Sequence, residues 1–216
     1  MRMPTLQKSP IHKLHPTQLT VGMIEVKDKK HRLAKLTPKE QQDFLEAHPI
    51  PAVLGPEGRL YITDHHHLGR AALEAGVETG FFSVLADLSS KGGDDFWKEM
   101  DKRCWVHPLD ENGVRHQYSS IPHHLEDLID DVYRSLAGYV RDAGAYDKTP
   151  TAFAEFVWAD FFRRLIPIED VRGGFEAAVK VAIEFARSER ATGMPGAKHA
   201  GAASGPPSGA TVPPGR

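Results

Sequence analysis

The feature that most restricts the fold is a short β-prone stretch that leads directly into a polar turn and then a helix. Residues 59–63 read RLYIT and are followed by Asp64, by three histidines at 65–67, and by an alanine-containing segment that ends at Gly76. Glycine favours the left-handed conformation that commonly ends a helix. The order strand, turn, helix predicts an α/β unit in which the turn lies at a helix N-terminus.

Further segments alternate between strand and helix patterns around this unit. Thr37, Pro38 and Glu40 form a capping-box pattern, which predicts the start of a helix. The sequence Gly-Pro-Glu-Gly at 55–58 is typical of a turn. Strands are predicted over 19–26, 52–54, 59–63 and 81–85, and helices over 37–48, 67–75 and 94–103.

The second half of the chain has apolar residues at helical spacing, over 122–143, 150–165 and 168–187. We therefore predict an α+β fold, in which a small mixed-sheet module over 11–105 is followed by an α-helical subdomain over 106–190. Residues 1–10 are expected to be flexible. The Gly/Pro/Ala-rich segment 191–216 is expected to be a disordered tail, because it buries too little apolar surface to order itself.

The net charge and the cysteine content argue against several classes of protein. The net charge of −2 argues against a duplex-binding surface, although it leaves room for a local basic patch, so DNA is a partner that the charge does not favour. Cys104 is the single cysteine, which excludes an internal disulfide or a cysteine zinc cluster. A secretory signal and an apolar run of about 20 residues are both absent from the sequence, which indicates a cytoplasmic protein without a membrane partner. The oligomeric state stays open.

The turn at 64–67 suits an anion. Helix-end N–H groups and the positive end of the helix dipole meet there, and imidazoles can donate hydrogen bonds to phosphate oxygens. Asp64 can cap the helix, hold the loop or approach a metal ion. Three interpretations stay open at this point, namely an anion site, a purely structural turn, and a metal site, the last being the least favoured because adjacent side chains on one turn diverge.

The same residues resemble the box of the ParB/sulfiredoxin superfamily, in which a strand leads into Asp-Gly-His-His-Arg, or a close variant, and then a helix. Asp64, His66, His67 and Gly76 are in step with that box, whereas His65 replaces its Gly and Leu68 replaces its Arg. Three further features fall in the family's order: the His-Pro-Thr-Gln stretch at 15–18, the helix 37–48 and the strand 51–54. The resemblance covers about residues 11–88, and the helical half is similar to the ParB-like nuclease branch only.

The resemblance implies a nucleotide, either ATP, ADP or CTP, bound with Mg²⁺ at this loop. His65, His66, His67 and Arg70 are assigned to nucleotide or phosphate binding, with Arg70 standing two residues after the position of the box Arg. It also implies a nucleotide-dependent phosphotransferase or phosphohydrolase acting on a small molecule. The alternative is a nucleic-acid-binding protein, either a ParB-like nuclease or a partition-type protein.

The catalytic residues are predicted to be Glu25, Asp64 and His66. Similarity to the ADP-dependent serine kinases of the superfamily implies that Glu25 acts as the base, and Asp64 is the candidate Mg²⁺ ligand. Glu25 lies in a predicted strand, so it can equally be a solvent-facing residue of an edge strand.

The helical half contributes candidates that support the site or contact the substrate. Asp131 and Arg134 follow His123 and Asp127 at helical spacing, and we expect this stripe to face the 64–70 loop. Glu155 on the next helix is expected to pair with Arg134 or Arg163. The alternatives are an exposed intrahelical ion pair for the first helix and ordinary core packing for the second.

Overall fold

A computed structural model describes residues 5–198, and a mixed sheet forms the centre of its first half. The strands of this sheet are β1 (Thr5–Pro10), β2 (Leu14–His15), β4 (Ile50–Leu54), β5 (Leu60–Ile62) and β6 (Thr79–Asp87), in the order β1-β6-β4-β5-β2. β4 pairs with β6 in parallel and with β5 in antiparallel fashion. β3 (Thr20–Val21) and β7 (Ile129–Asp130) form a separate parallel pair that joins the two halves of the chain.

Four helices lie in the first half and four in the second. They are α1 (Met23–Ala34), α2 (Pro38–Ala47), α3 (His66–Glu74), α4 (Gly93–Lys102), α5 (Val132–Asp142), α6 (Ala154–Arg163), α7 (Ile168–Gly173) and α8 (Phe175–Arg187). The capping box that begins α2 is confirmed, because Thr37 N donates to Glu40 Oε2 at 2.8 Å and Glu40 N donates to Thr37 Oγ1. The predicted α+β fold with a helical second half is confirmed.

Apolar clusters show where each half has its core. Ile62, Ala71 and Phe82 belong to a cluster between the sheet, α1 and α3, which also contains Leu125 and Leu128. A second cluster is built from α5, α6 and α8 around Trp158. The segment before α5 therefore packs on the sheet module, and the helical core itself begins at α5.

Two glycines allow α1 to lie close against α5. A Cβ atom at Gly22 would overlap Ser135 Oγ, and one at Gly138 would overlap the carboxylate of Glu25. Because interiors are close-packed, neither position accommodates a side chain without displacement of its neighbour.

The structure corrects three predicted elements. Residues 19–26 do not form one strand, because the chain leaves β3 at Val21 and begins α1 at Met23. The predicted helix 122–143 begins only at Val132, since Asp131 caps it there and the preceding residues form a 3-10 turn and β7. The predicted helix 168–187 is divided into α7 and α8 at Gly174.

At both ends of the described range, residues 5–10 and 191–198 differ from the flexible and disordered segments that the sequence predicts. Thr5–Pro10, expected to be flexible, pairs along β6 as β1. Residues 191–198, expected to belong to a disordered tail, pack on the helical half, where Trp158 Nε1 donates to the Pro195 carbonyl at 2.8 Å. The remainder of the predicted tail, 199–216, lies outside the described residues, as do residues 1–4.

None of the helices within residues 5–198 combines the length and the apolar character that a bilayer-spanning helix needs.

Candidate functional site

Two adjoining cavities lie between the sheet module and the helical half, and together they are called the cleft. The first has a volume of about 420 Å³ and the second about 390 Å³. They share a wall made by the 64–67 turn on one side and by α5, α6 and the loop between them on the other. The residues of this shared wall are Asp64, His67, Arg134, Arg141, Lys148 and Glu155.

The two box histidines fix the chain segment that enters α1. His66 Nε2 accepts a hydrogen bond from Thr17 N at 3.0 Å, and His67 Nε2 accepts one from Gly22 N at 2.9 Å. Burial lowers the pKa of His66 to about 3 and the pKa of His67 well below its ordinary value. Each ring is therefore neutral at pH 7, with its proton on Nδ1, and the proximity of His67 to Glu25 at 3.8 Å is no ion pair.

His65 occupies a backbone conformation that usually belongs to glycine. Its φ is 60°, in the left-handed region, which gives a physical reason for the Gly that stands here in the family box. Asp64 Oδ1 accepts from His65 N at 2.6 Å and so closes the turn. The N-cap residue of α3 is thus His65, without a side-chain cap, rather than Asp64. His65 Nδ1 is buried without a hydrogen-bond partner in the described part of the chain, and burial lowers the pKa of this ring.

The N-terminus of α3 is open to the cleft. The N–H groups of His66, His67 and Leu68 have no hydrogen-bond partner within residues 5–198, and the first bond of the helix is donated by Gly69 N to the His65 carbonyl. Unpaired N–H groups and the helix dipole together attract an anion.

Arg134 joins the two halves at the centre of the cleft. Its Nη1 donates to Glu25 Oε1 at 2.8 Å, and its Nη2 lies 3.5 Å from Glu155 Oε2. The predicted pairing of Glu155 with Arg134 is confirmed. Glu155 also pairs with Arg141, and although burial opposes the charge of that guanidinium, the carboxylates of Glu155 and Asp142 raise the pKa of Arg141 above its ordinary value.

Cations outnumber carboxylates around the second cavity. Its lining contains five Lys and Arg side chains but three carboxylates, those of Glu25, Asp64 and Glu155. Lys148 and Arg32 form no ion pair with any residue in 5–198, whereas Lys29 pairs with Glu25 at 3.3 Å. The chain as a whole is slightly acidic, so this positive charge is a local property of the second cavity.

Several predicted residues lie elsewhere or act differently. Arg70 is turned away from the cleft, because two residues along a helix correspond to a rotation of about 200°. Its Nε donates to Glu74 at 2.6 Å and its Nη1 to the Leu125 carbonyl at 2.7 Å. Asp131 is a buried cap, accepting from Tyr133 N at 3.0 Å and pairing with Arg163 at 2.8 Å. Neither residue lines the cleft.

The expected stripe of polar residues on one helix face does not exist. His123 and Asp127 precede α5 and do not share a helix face with Arg134, so only Arg134 of this set faces the box turn. Glu25 is the reverse case, since it was predicted on a strand and lies on α1, yet it lines the second cavity.

The sequence interpretation missed the wall of the first cavity. Trp105 and Phe153 line it, and the backbone is left-handed at Phe153 and at Cys104, with φ values of 57° and 54°. With His65, three of the four non-glycine residues of positive φ within 5–198 line the cleft. Such conformations cost about 1–3 kcal/mol each and cluster at functional sites, but no sequence signal reveals them.

Comparison with known proteins shows which family and which solved structures the chain resembles. A family model described as "Putative ParB-like nuclease" matches residues 7–164. Among solved structures, protein Atu1540 from Agrobacterium tumefaciens is 41% identical, with a TM-score of 0.86, covering 92% of this chain and 99% of its own. No curated protein gives a significant match.

A second structure is the C-terminally truncated chromosome-partitioning protein ParB from Caulobacter crescentus, complexed with CTP-gamma-S. It is 13% identical with a TM-score of 0.31, covering 82% of this chain and 92% of its own, and at this score the likeness supports no conclusion about the present chain. The family match, in contrast, spans most of the sequence and confirms the resemblance drawn from the box. The chain therefore belongs to the ParB-like nuclease family.

Proposed function

We propose that the cleft binds the phosphate groups of a nucleotide at the N-terminus of α3. The observation that carries this proposal is the set of three unpaired N–H groups, those of His66, His67 and Leu68, beside the unpartnered Nδ1 of His65. Unpaired N–H groups at a helix N-terminus bind anions, and a buried ring nitrogen without a partner lies beside them, which together favour a ligand with several acceptor oxygens.

Cations of the shared wall supply charge neutralisation for this ligand. Arg134 and Arg141 are already paired with Glu25 and Glu155, which holds their guanidinium groups in fixed positions. Lys148 carries an uncompensated charge among the described residues and is assigned the direct contact with phosphate. His66 and His67 are proposed to approach the ligand through Nδ1–H, since their Nε2 atoms are taken.

Asp64 is a suitable ligand for a Mg²⁺ ion that binds together with the nucleotide. Mg²⁺ in such sites is bound by one or two carboxylates together with substrate phosphates, and the second carboxylate oxygen of Asp64 is the donor at this place. Within 5–198, no group of three or more His, Cys, Asp or Glu side chains is arranged to hold a metal ion by itself. When bound, the ion would neutralise charge that develops on the phosphate oxygens.

The reaction class that suits this arrangement is phosphoryl transfer to a small molecule or to water. The second cavity offers Leu33, Leu36 and Phe44 beside Lys29 and is the proposed acceptor site. Glu25 is the proposed base, acting through Oε2, whose partner Lys29 is a flexible, partly exposed side chain. His66 then has two roles, holding Thr17 through Nε2 and donating to phosphate through Nδ1–H.

A second candidate function, nucleic-acid cleavage, is favoured by the description of the matching family. A phosphodiester backbone could use the same N–H groups. The absence of a basic excess in the chain makes this candidate the weaker one. Incubation with labelled single-stranded and duplex oligonucleotides and Mg²⁺ distinguishes the two, because only the nuclease shortens them.

The proposal is tested by calorimetry and thermal denaturation with ATP, ADP and CTP, each with and without Mg²⁺, followed by product analysis. A nucleotide at a hundred times its Kd should stabilise the fold by about 2.7 kcal/mol. Lys148→Ala should weaken binding about tenfold without changing stability, whereas Lys180→Ala, an exposed lysine on α8, should leave the affinity unchanged. Absence of nucleotide binding under all these conditions would contradict the proposal.

A further inference from the structure

Gln18 contributes an amide side chain to the wall of the first cavity. The side chain is only 5% exposed, and its Nε2 donates to the Thr20 carbonyl at 2.7 Å. Because a carbonyl only accepts, this bond fixes which end of the amide is nitrogen and directs the other end, Oε1, elsewhere. In the described part of the chain Oε1 has no hydrogen-bond partner, and Gln18 lines the cavity.

The surroundings of this oxygen suit a flat ring. Pro51, Leu85, Trp105 and Phe153 form an apolar and aromatic wall of the same cavity. Left-handed backbone conformations occur at Phe153 itself and at Cys104, next to Trp105, so two of these rings belong to or adjoin strained residues. Aromatic side chains stack favourably on planar bases, largely without regard to their sequence identity.

The first cavity adjoins the proposed phosphate site, so one ligand can occupy both. The first cavity shares Asp64, His67 and Lys148 with the second, so a ligand with phosphates at the α3 N-terminus can extend into it. Its volume of about 420 Å³ is in the range of small-ligand pockets.

We propose that the first cavity holds the nucleobase and that Gln18 Oε1 accepts a hydrogen bond from its exocyclic amino group. The ligand class is then a nucleotide of cytosine or adenine, and not its keto counterpart, uracil or hypoxanthine. A keto oxygen at that place would face Oε1 as a second acceptor, so neither oxygen would receive a hydrogen bond and the keto nucleotide would bind more weakly. This inference rests on the proposed nucleotide-binding function.

The test compares how tightly the full chain binds amino and keto nucleotides of equal size. Calorimetric titrations with CTP against UTP and with ATP against ITP, and with inorganic tripolyphosphate as a phosphate-only probe, separate the base from the phosphates. At least one amino nucleotide should bind about tenfold more tightly than its keto partner, and more tightly than tripolyphosphate.

Gln18→Leu should reduce this preference to about twofold or less while the affinity for tripolyphosphate stays unchanged. Gln7→Leu, at an exposed position of β1, is the matched control and should keep the preference. The comparison on the unsubstituted protein decides the matter if Gln18→Leu does not fold.

Equal affinities for amino and keto partners, with tripolyphosphate bound, would overturn the inference but leave the proposed phosphate site intact. If neither tripolyphosphate nor any nucleotide binds, the proposed function fails and the inference fails with it.

Discussion

Two helix N-termini of this protein meet near the cleft and are used in opposite ways. The N-terminus of α1 is filled by the protein itself, since Met23 N donates to Asp130 Oδ1 at 2.9 Å and Ile24 N to Ser135 Oγ at 3.2 Å. The N-terminus of α3 receives no such acceptor from residues 5–198. The N–H groups of the first helical turn therefore hold the two halves of the chain together at α1, whereas at α3 they are left for a ligand.

The box histidines connect these two uses. The first turn of α3 contributes His67, whose Nε2 receives the N–H of Gly22 at the start of α1. The His67 ring thus stabilises the fold through Nε2, while the backbone N–H groups of the same turn remain available to a ligand. A substitution in the box is expected to change stability as well as binding, and the two effects have to be measured separately.

The largest expected effect concerns the ion pair that fixes α1 to α5. Arg134→Met removes the buried partner of Glu25, itself 7% exposed, and leaves only the partly exposed Lys29 beside that carboxylate, so we expect a loss of about 3 kcal/mol in the free energy of unfolding. Urea denaturation measures it. The double variant Glu25→Gln/Arg134→Met should recover part of the loss, and Arg103→Ala, which breaks a surface pair with Glu99, should cost at most about 1 kcal/mol.

A loss below about 1 kcal/mol for Arg134→Met would show that the Glu25–Arg134 pair does not join the two halves. It would contradict the structural role that we assign to the first turn of α1.

The next effect is the pH dependence that the box histidines impart. Both are neutral when folded and bind a proton below about pH 6.5 when unfolded, so the unfolded state binds more protons below pH 6.5, for His66 down to about pH 3. Stability must then fall as the pH is lowered through this window. From pH 7.5 to 5.5 these two rings alone should contribute a loss of about 3 kcal/mol, roughly 1.4 for each ring, to which His107, whose pKa burial lowers to about 4, adds.

Denaturant titrations at several pH values check this loss. His66→Gln should reduce the loss by about 1.4 kcal/mol, the share of one ring, whereas His31→Gln, an exposed position on α1, should leave it unchanged. A stability that does not vary between pH 7.5 and 5.5 would contradict the neutral, hydrogen-bond-accepting state of the two rings.

A smaller effect is expected where Glu25 packs against α5. Gly138→Ala places a methyl group where the Glu25 carboxylate lies, and the displacement should cost about 1–3 kcal/mol. Gly173→Ala is the matched control, because a Cβ atom there meets no neighbour within 4 Å, and it should be neutral within about 0.5 kcal/mol. Thermal denaturation of both variants measures the difference, and equal melting temperatures would show that the close approach is not required.

The sequence was informative where local chemistry decides the structure. The capping box of α2, the strand–turn–helix order at the box and the left-handed Gly76 after α3 all depend on neighbouring residues and were predicted. The rotation that turns Arg70 away is also a local property, since it follows from helix geometry alone.

The rest depends on residues distant in the chain. The β-prone stretch at 19–26 becomes the start of α1 because Asp130 and Ser135, more than 100 residues away, accept its N–H groups. Tertiary contacts of this kind override local propensity. The aromatic wall of the first cavity depends likewise on the backbone at Phe153 and Cys104, whose left-handed conformation contradicts residue type.

The most direct test of the account is an amide NMR titration that observes both helix ends at once. On addition of inorganic tripolyphosphate and then CTP or ATP with Mg²⁺, the N–H resonances of His66, His67 and Leu68 should shift progressively to saturation, while those of Met23 and Ile24 stay in place because their hydrogen bonds are already made. Unmoved resonances at 66–68 in the presence of a bound nucleotide would contradict the claim that the N-terminus of α3 is the phosphate site.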